Sequence, residues 1–343
     1  MTAKMTKRRV QLDELSDDEI LQIRIMDLDL RIEGSPVEPV MNRLYDELAQ
    51  KGISLRPPCY FTDEWLCPDK EPIIGIPFVF AHPRLKKLEQ KMMLDVEGGT
   101  DKHFMQLLRH ECGHAFNYAH ELYKKSRWRE LFGRFSDDYS DFYHFQPYSR
   151  RFVIYLADYY AQSHPDDDFA ETFAVWLDPD SDWKNKYKDW PVIKKLNYVD
   201  GIVKKIGDKQ PLKTADREQP FSAERMRSTL AAHYERKRRT LGSEFQGFYD
   251  DSLRQIFSES QTAASTKASQ ILRKHRRRIV DSVTGWTNHR KYDINQLLNK
   301  FIARCDVLGL YSQLDEPDSL IEVTALLTSI ASNTYKTGLK GRR

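Results

Sequence analysis

The feature that most constrains this chain is His110-Glu111-Cys112-Gly113-His114, set inside a stretch with the apolar spacing of a helix. Over 101–123, after the break at Gly98-Gly99, Phe104, Leu107, Leu108, Phe116 and Tyr118 form an apolar side, so this helix is packed and not free. Residues four apart lie one turn above one another, which puts the imidazoles of His110 and His114 on one face, within reach of a single ion. Zn²⁺ suits such a pair, binding histidine nitrogen at about 2.0–2.1 Å. Glu111 projects beside them and can take a proton from a zinc-bound water whose pKa the metal lowers to about 7. Gly113 costs about 1 kcal/mol relative to alanine inside a helix, and its small size permits close approach of another element.

A catalytic zinc needs a third protein ligand and an open fourth position. The segment His164-Pro-Asp-Asp-Asp-Phe-Ala-Glu-Thr-Phe-Ala-Val-Trp-Leu177 is the source of candidates. Pro165 suits a first helical turn, the acids suit the helix dipole, and Ala170, Phe173, Ala174 and Leu177 make an apolar face. Asp167 and Glu171 stand one turn apart on the flank of that face. One can bind zinc while the other orients a histidine through its second ring nitrogen. Asp166 is expected to do no more than complement the helix start, and His164 to be structural or exposed.

His110-Glu-x-Gly-His114, Tyr160 and Asp167-x-Phe-Ala-Glu171 together resemble the gluzincin-type metalloproteases, most closely the lethal-factor-like group. The resemblance implies Asp167 as third ligand, Glu171 as its support and Tyr160 as the donor that steadies the oxyanion. The group usually carries Glu at the position of Asp167, so Glu171 stays an alternative ligand. A longer set of pieces resembles a bacterial family of zinc-binding metallopeptidases for which no substrate is implied. These pieces are Asp63-Glu-Trp, Ile76-Pro-Phe, Ala81-His-Pro-Arg-Leu85, Leu94-Asp-Val-Glu-Gly-Gly-Thr100, Pro147-Tyr-Ser-Arg-Arg-Phe152 and Tyr160-Ala-Gln-Ser-His-Pro165.

The expected fold class is α+β: a zincin-like metalloprotease domain with a small sheet over 1–206, a linker over 207–220, and a basic, all-helical region over 221–343. Alternating apolar residues predict a strand at 23–32. A second strand is expected at 72–80, where Pro72 and Pro77 favour an edge on which an extended peptide could dock. Helical spacing runs over 36–50, 83–94, 151–162, 165–177 and 192–205, and 136–148 reads as an ordered loop. Beyond the linker the helical stretches are 222–257, 262–283, 294–309 and 318–335.

The net charge of +3 conceals two halves of opposite sign. From Arg217 onward there are 22 Lys and Arg against 14 Asp and Glu, or +8, leaving 32 against 37, or −5, before it. The runs Arg236-Lys-Arg-Arg239 and Arg273-Lys-His-Arg-Arg-Arg278 can follow nucleic-acid phosphates, but the aromatics between them are not spaced as a stacking platform. An acidic protein partner accounts for the charge at least as well. No apolar run is long enough to span a membrane. Four scattered cysteines, Cys59, Cys67, Cys112 and Cys305, suit a reducing, cytoplasmic compartment.

The sequence therefore points to a zinc metallopeptidase that hydrolyses peptide or protein amide bonds, with His110, His114 and Asp167 on the metal, Glu111 as base and Tyr160 at the oxyanion. The alternative is a non-catalytic, zinc-stabilised binding protein whose basic helices engage nucleic acid or an acidic protein.

Overall fold

The computed structural model describes residues 11–139, 145–215, 219–240, 249–260, 265–287 and 289–333. They fall into two compact units. One comprises the chain up to Lys91 and Val96–His233; the other comprises Met92–Asp95 and the chain from Tyr234.

The first unit contains α1 (Asp17–Gln22), α2 (Val37–Gln50), β1 (Cys59–Thr62), β2 (Ile74–Pro77), α3 (Pro83–Met93), whose last two residues pass into the second unit, α4 (Asp101–Ala119), α5 (Ser126–Phe132), α6 (Pro165–Leu177), α7 (Trp183–Lys186) and α8 (Ile193–Ile206). α6 is the centre of the unit. Every residue from Asp166 to Leu177 is buried, and the helix packs against α4, α5 and α8. That explains why its sequence is apolar well beyond a single stripe. The sheet is two parallel strands, in register Cys59↔Ile74 through Thr62↔Pro77.

Local signals place the two helices that matter most. α4 starts at Thr100, whose hydroxyl accepts from the His103 N–H, and α6 starts at His164, whose Nδ1 accepts from the Asp166 N–H. Pro165 follows in the first turn, where its missing N–H costs nothing. α4 ends earlier than the sequence predicts, because Glu121 takes a left-handed conformation, φ 50°, and a short 3₁₀ turn at Leu122–Lys124 follows.

Other expectations are corrected. The predicted strand at 23–32 makes one antiparallel bridge, Arg24 with Thr229, then coils into a 3₁₀ turn at Ile25–Asp27. Asp29 at φ 48° and the Arg24–Asp27 ion pair at 2.5 Å stop any extension. The 72–80 strand is present only as β2, wholly buried, and Gly75 exchanges both backbone hydrogen bonds with Leu66. At that residue no free edge remains for a peptide. Of the predicted helix at 151–162 only the 3₁₀ stretch Ala157–Gln162 forms, with Tyr159 at φ 55°. β1 has no alternating pattern and is not apparent from the sequence.

Of the stretch expected as a linker, 216–218 lie outside the described residues, and the rest is tied along the first unit. Leu212 and Lys213 donate to the Ala119 carbonyl at 2.8 and 3.0 Å, Ser54 donates to that of Gly207 at 2.8 Å, and the Tyr60 hydroxyl donates to that of Pro220 at 2.9 Å. Residues 226–230 continue this pattern through hydrogen bonds with Ile23, Ile25 and Met26.

The second unit is helical with its own core. After α9 (Leu230–Thr240), which runs into it from the first unit, come α10 (Asp250–Ile256), α11 (Ala268–Lys274), α12 (Arg276–Thr284), α13 (Lys291–Leu308) and α14 (Glu316–Asn333). Leu253, Phe257, Leu272, Val283, Leu298, Phe301 and Val323 meet in that core. It is not all helix: β3 (Thr266–Lys267) and β4 (Tyr311–Ser312) pair antiparallel, too short to show a period of two. Much of its positive charge is matched internally. Arg273 pairs with Asp306, Lys274 and His275 with Glu316, Lys291 with Asp281, and Arg304 with Asp250. No helix among the described residues is long and apolar enough to cross a membrane.

Candidate metal centre

The centre forms where α4 crosses α6. At the crossing, a Cβ built on Gly113 would lie 2.8 Å from Ala170 Cα and 2.9 Å from its carbonyl oxygen, so only glycine lets the helices come this close. α4 presents the imidazoles to α6 from His110, one turn before Gly113, and from His114, immediately after it.

His110, His114 and Asp167 form a buried group whose nearest nitrogen and oxygen atoms all lie within 4.8 Å of one another. The two Nε2 atoms are 3.1 Å apart, and Asp167 Oδ1 is 3.2 Å from that of His114 and 3.7 Å from that of His110. Ligand atoms held tetrahedrally at about 2.0–2.1 Å from one ion are about 3.3–3.4 Å from each other. The three separations bracket that value, so the group fits a metal ion.

The opposite edges of both rings face carboxylates. His110 Nδ1 is hydrogen-bonded to Glu171 Oε1 at 2.9 Å, and Glu171 Oε2 accepts from the Leu156 N–H at 2.9 Å. His114 Nδ1 lies 3.0 Å from Asp166 Oδ2, and Asp166 is itself held by the Asn117 amide at 2.8 Å and the Tyr118 hydroxyl at 2.6 Å. With protons on the two Nδ1 atoms, the Nε2 lone pairs would face Asp167. Two lone pairs and a carboxylate oxygen crowded together repel unless a cation lies between them.

Charge gives the same answer. Glu111, Asp166, Asp167 and Glu171 are each at most 3% exposed, an arrangement that buried carboxylates adopt only with compensating positive charge. Burial works against a charged His110, but Asp167 and Glu171 outweigh it and push its pKa up to about 10. The cluster thus favours positive charge, as a proton or as a metal ion. The third acid of the triplet is matched separately: Asp168 Oδ2 accepts from Lys195 Nζ of α8 at 2.5 Å. Burial still pushes the Asp168 pKa up to about 7.

Of the residues singled out in the sequence, the structure brings together His110, His114, Asp167 and Glu171. Asp167 sits with the two Nε2 atoms, and Glu171 with the back of His110. Glu111 is near enough to His110 to raise its pKa. Tyr160 is buried with its ring centroid 5.5 Å from that of His110, whereas Tyr159 stacks on Phe145 instead. Asp166 is a correction, because it contacts His114 as well as capping the helix dipole. Consecutive residues on a helix point about 100° apart, which sends the three acids to three different partners. Ser163, whose hydroxyl donates to Asp167 Oδ2 at 2.8 Å, was also missed. Asn117 and Tyr118 were legible in principle, three and four residues beyond His114 on the same face.

Arg109 ties the surrounding elements together. It binds Glu47 of α2 through two bonds of 2.7 Å, Asp178 at 3.0 Å and the Tyr155 hydroxyl at 3.1 Å. The Gln106 amide donates to the Tyr155 carbonyl at 3.2 Å, so the chain carrying Leu156 is pinned beside Glu171. His164 is buried, with Nε2 2.8 Å from the Asp137 carbonyl and the Tyr139 ring stacked on it at 3.6 Å. Of the expected 136–148 loop, 140–144 lie outside the described residues. No family model, curated protein or solved structure matches the chain, so the likeness to metallopeptidases rests on the motif residues themselves.

Proposed function

We propose that the chain is a zinc-dependent metallopeptidase with a zincin-like first unit, acting on peptide or protein amide bonds. The observation that carries this reading is the convergence of His110 Nε2, His114 Nε2 and Asp167 Oδ1 beside Glu111. Two imidazoles and one carboxylate suit Zn²⁺, which His110, His114 and Asp167 would hold. Zinc held there would supply Lewis acidity and would lower the pKa of a water to about 7. Glu111 would act as general base, taking a proton and returning it to the leaving amine. Tyr160 donates its hydroxyl to the carbonyl oxygen as negative charge develops. Glu171 and Asp166 keep the two rings oriented throughout.

A second reading, a zinc-stabilised scaffold without hydrolysis, is favoured by burial, since His110 and His114 are 1% and 2% exposed. Two measurements decide. Elemental analysis of the wild type and of His114→Ala is expected to find about one zinc per chain and almost none, respectively. Zinc-free wild type from zinc-replete cells would overturn both readings. A peptide-library digest comparing the wild type with Glu111→Gln, which keeps the ligands and removes the base, separates the two. The peptidase reading expects cleavage by the wild type alone; no cleavage by either leaves the scaffold.

A further inference from the structure

We propose that an open cavity whose aromatic wall packs against Tyr118 is a subsite for acidic side chains of a peptide, an inference that rests on the peptidase reading. The cavity has a volume of about 740 Å³, and its lining includes Tyr123, Lys124, Ser126, Arg129, Arg134 and Phe135. That volume lies within the ~300–1,000 Å³ of small-ligand sites. Glu130 also lines it, but its carboxylate is held by Arg127 at 2.8 Å. Lys124 is held by Glu121 at 2.6 Å. Arg129 and Arg134 differ: among the described residues no carboxylate pairs with either. Two guanidinium forks with uncompensated charge line one concavity, and the fork matches a carboxylate in two parallel hydrogen bonds.

The cavity's aromatic wall links it to the metal centre. The Tyr123 and Phe135 rings lie 4.4 Å apart, and both approach Tyr118, at 6.2 and 6.1 Å. Tyr118 stacks on His114 at 6.0 Å and donates to Asp166. One tyrosine ring therefore separates the cavity wall from the metal-facing histidine. The cavity therefore lies behind His114, and an acidic side chain held by Arg129 and Arg134 anchors a peptide away from the metal-facing Nε2 edge.

The test is binding of two fluorescein-labelled peptides of equal length, one alternating Glu and Ala, the other Gln and Ala, to full-length Glu111→Gln, which blocks turnover. The Glu peptide is expected to bind about tenfold more tightly at low salt. Adding Arg129→Glu/Arg134→Glu is expected to lower its binding to that of the Gln peptide, while Arg129→Lys/Arg134→Lys retains most of it. Unchanged zinc content and melting temperature show that the charge-reversed chain is folded. Equal binding of the two peptides, or undiminished binding by the folded charge-reversed variant, overturns the subsite. Charge-dependent binding without cleavage of any peptide by the wild type supports the subsite and removes the peptidase reading. Cleavage indifferent to acidic residues and to the charge reversal does the opposite.

Discussion

Gly113 lies against Ala170 so closely that α4 and α6 meet backbone to backbone, with the two histidines one turn apart around this point. Gly113→Ala places a methyl carbon 2.8 Å from Ala170 Cα. Backbone cannot swing aside as a side chain does, so overpacking of about 1–3 kcal/mol exceeds the helix-propensity gain of about 1 kcal/mol. The expected result is a lower urea midpoint together with weaker zinc retention, since separating the helices pulls Asp167 from the imidazoles. A variant as stable as the wild type with full zinc would refute this account of the crossing.

Asp166→Asn keeps the side-chain volume and removes the charge 3.0 Å from His114 Nδ1. Partners of a metal-binding histidine typically contribute 10–100-fold in metal affinity, and a loss in that range is expected in competition with a chromogenic chelator. Glu171→Gln is expected to act similarly through His110.

Arg109→Met leaves Glu47 and Asp178 without their shared guanidinium, and Arg109 is only 7% exposed. Removing one partner from a buried pair costs about 3–5 kcal/mol. Chemical denaturation should show a loss of that order, partly recovered in Arg109→Met/Glu47→Gln, where one stranded charge has gone. No recovery in the double variant would mean that packing of the arginine, and not its charge, is what matters.

Tyr160→Phe removes the hydroxyl of a ring whose centroid lies 5.5 Å from that of His110 and leaves the buried ring in place. If that hydroxyl steadies the oxyanion, kcat falls by roughly 10²–10³ with zinc content and melting temperature unchanged. An unaltered kcat would relegate Tyr160 to the core.

Chelation is expected to destabilise the chain. An ion present at 1,000 times its dissociation constant stabilises the folded state by about 4 kcal/mol, so a strong chelator should lower the melting temperature of the wild type. His114→Ala, lacking a ligand, is expected to melt at the same temperature with or without chelator.

Much of the site is written in local spacing. His110 and His114 share a helix face because α-helical geometry leaves them no other arrangement, and the Asp167/Glu171 pair is constrained in the same way. Pro165 and the three acids place the start of α6, which forms over the predicted span Pro165–Leu177. Where the sequence failed, the deciding interactions were distant ones. The period-two pattern at 23–32 yielded to a turn held by residues 226–230. The division between the two units comes after His233, because Gly207, Leu212, Lys213, Pro220 and residues 226–230 hydrogen-bond to chain as much as about 200 residues earlier.

The sequence by itself determined that this chain carries two histidines with a glutamate between them and a pair of acids on two helices, each set facing one way. It could not determine which acid meets the imidazoles, because Asp166, Asp167 and Glu171 all lie within one and a half turns of the same helix. Only the rotation and depth of α6 against α4, set by the Gly113–Ala170 contact, decided that. That contact turns Asp167 toward the two Nε2 atoms, Glu171 toward the back of His110 and Asp166 toward the back of His114. Helical periodicity is a property of consecutive residues, whereas the angle at which two helices cross depends on side chains far apart in the chain.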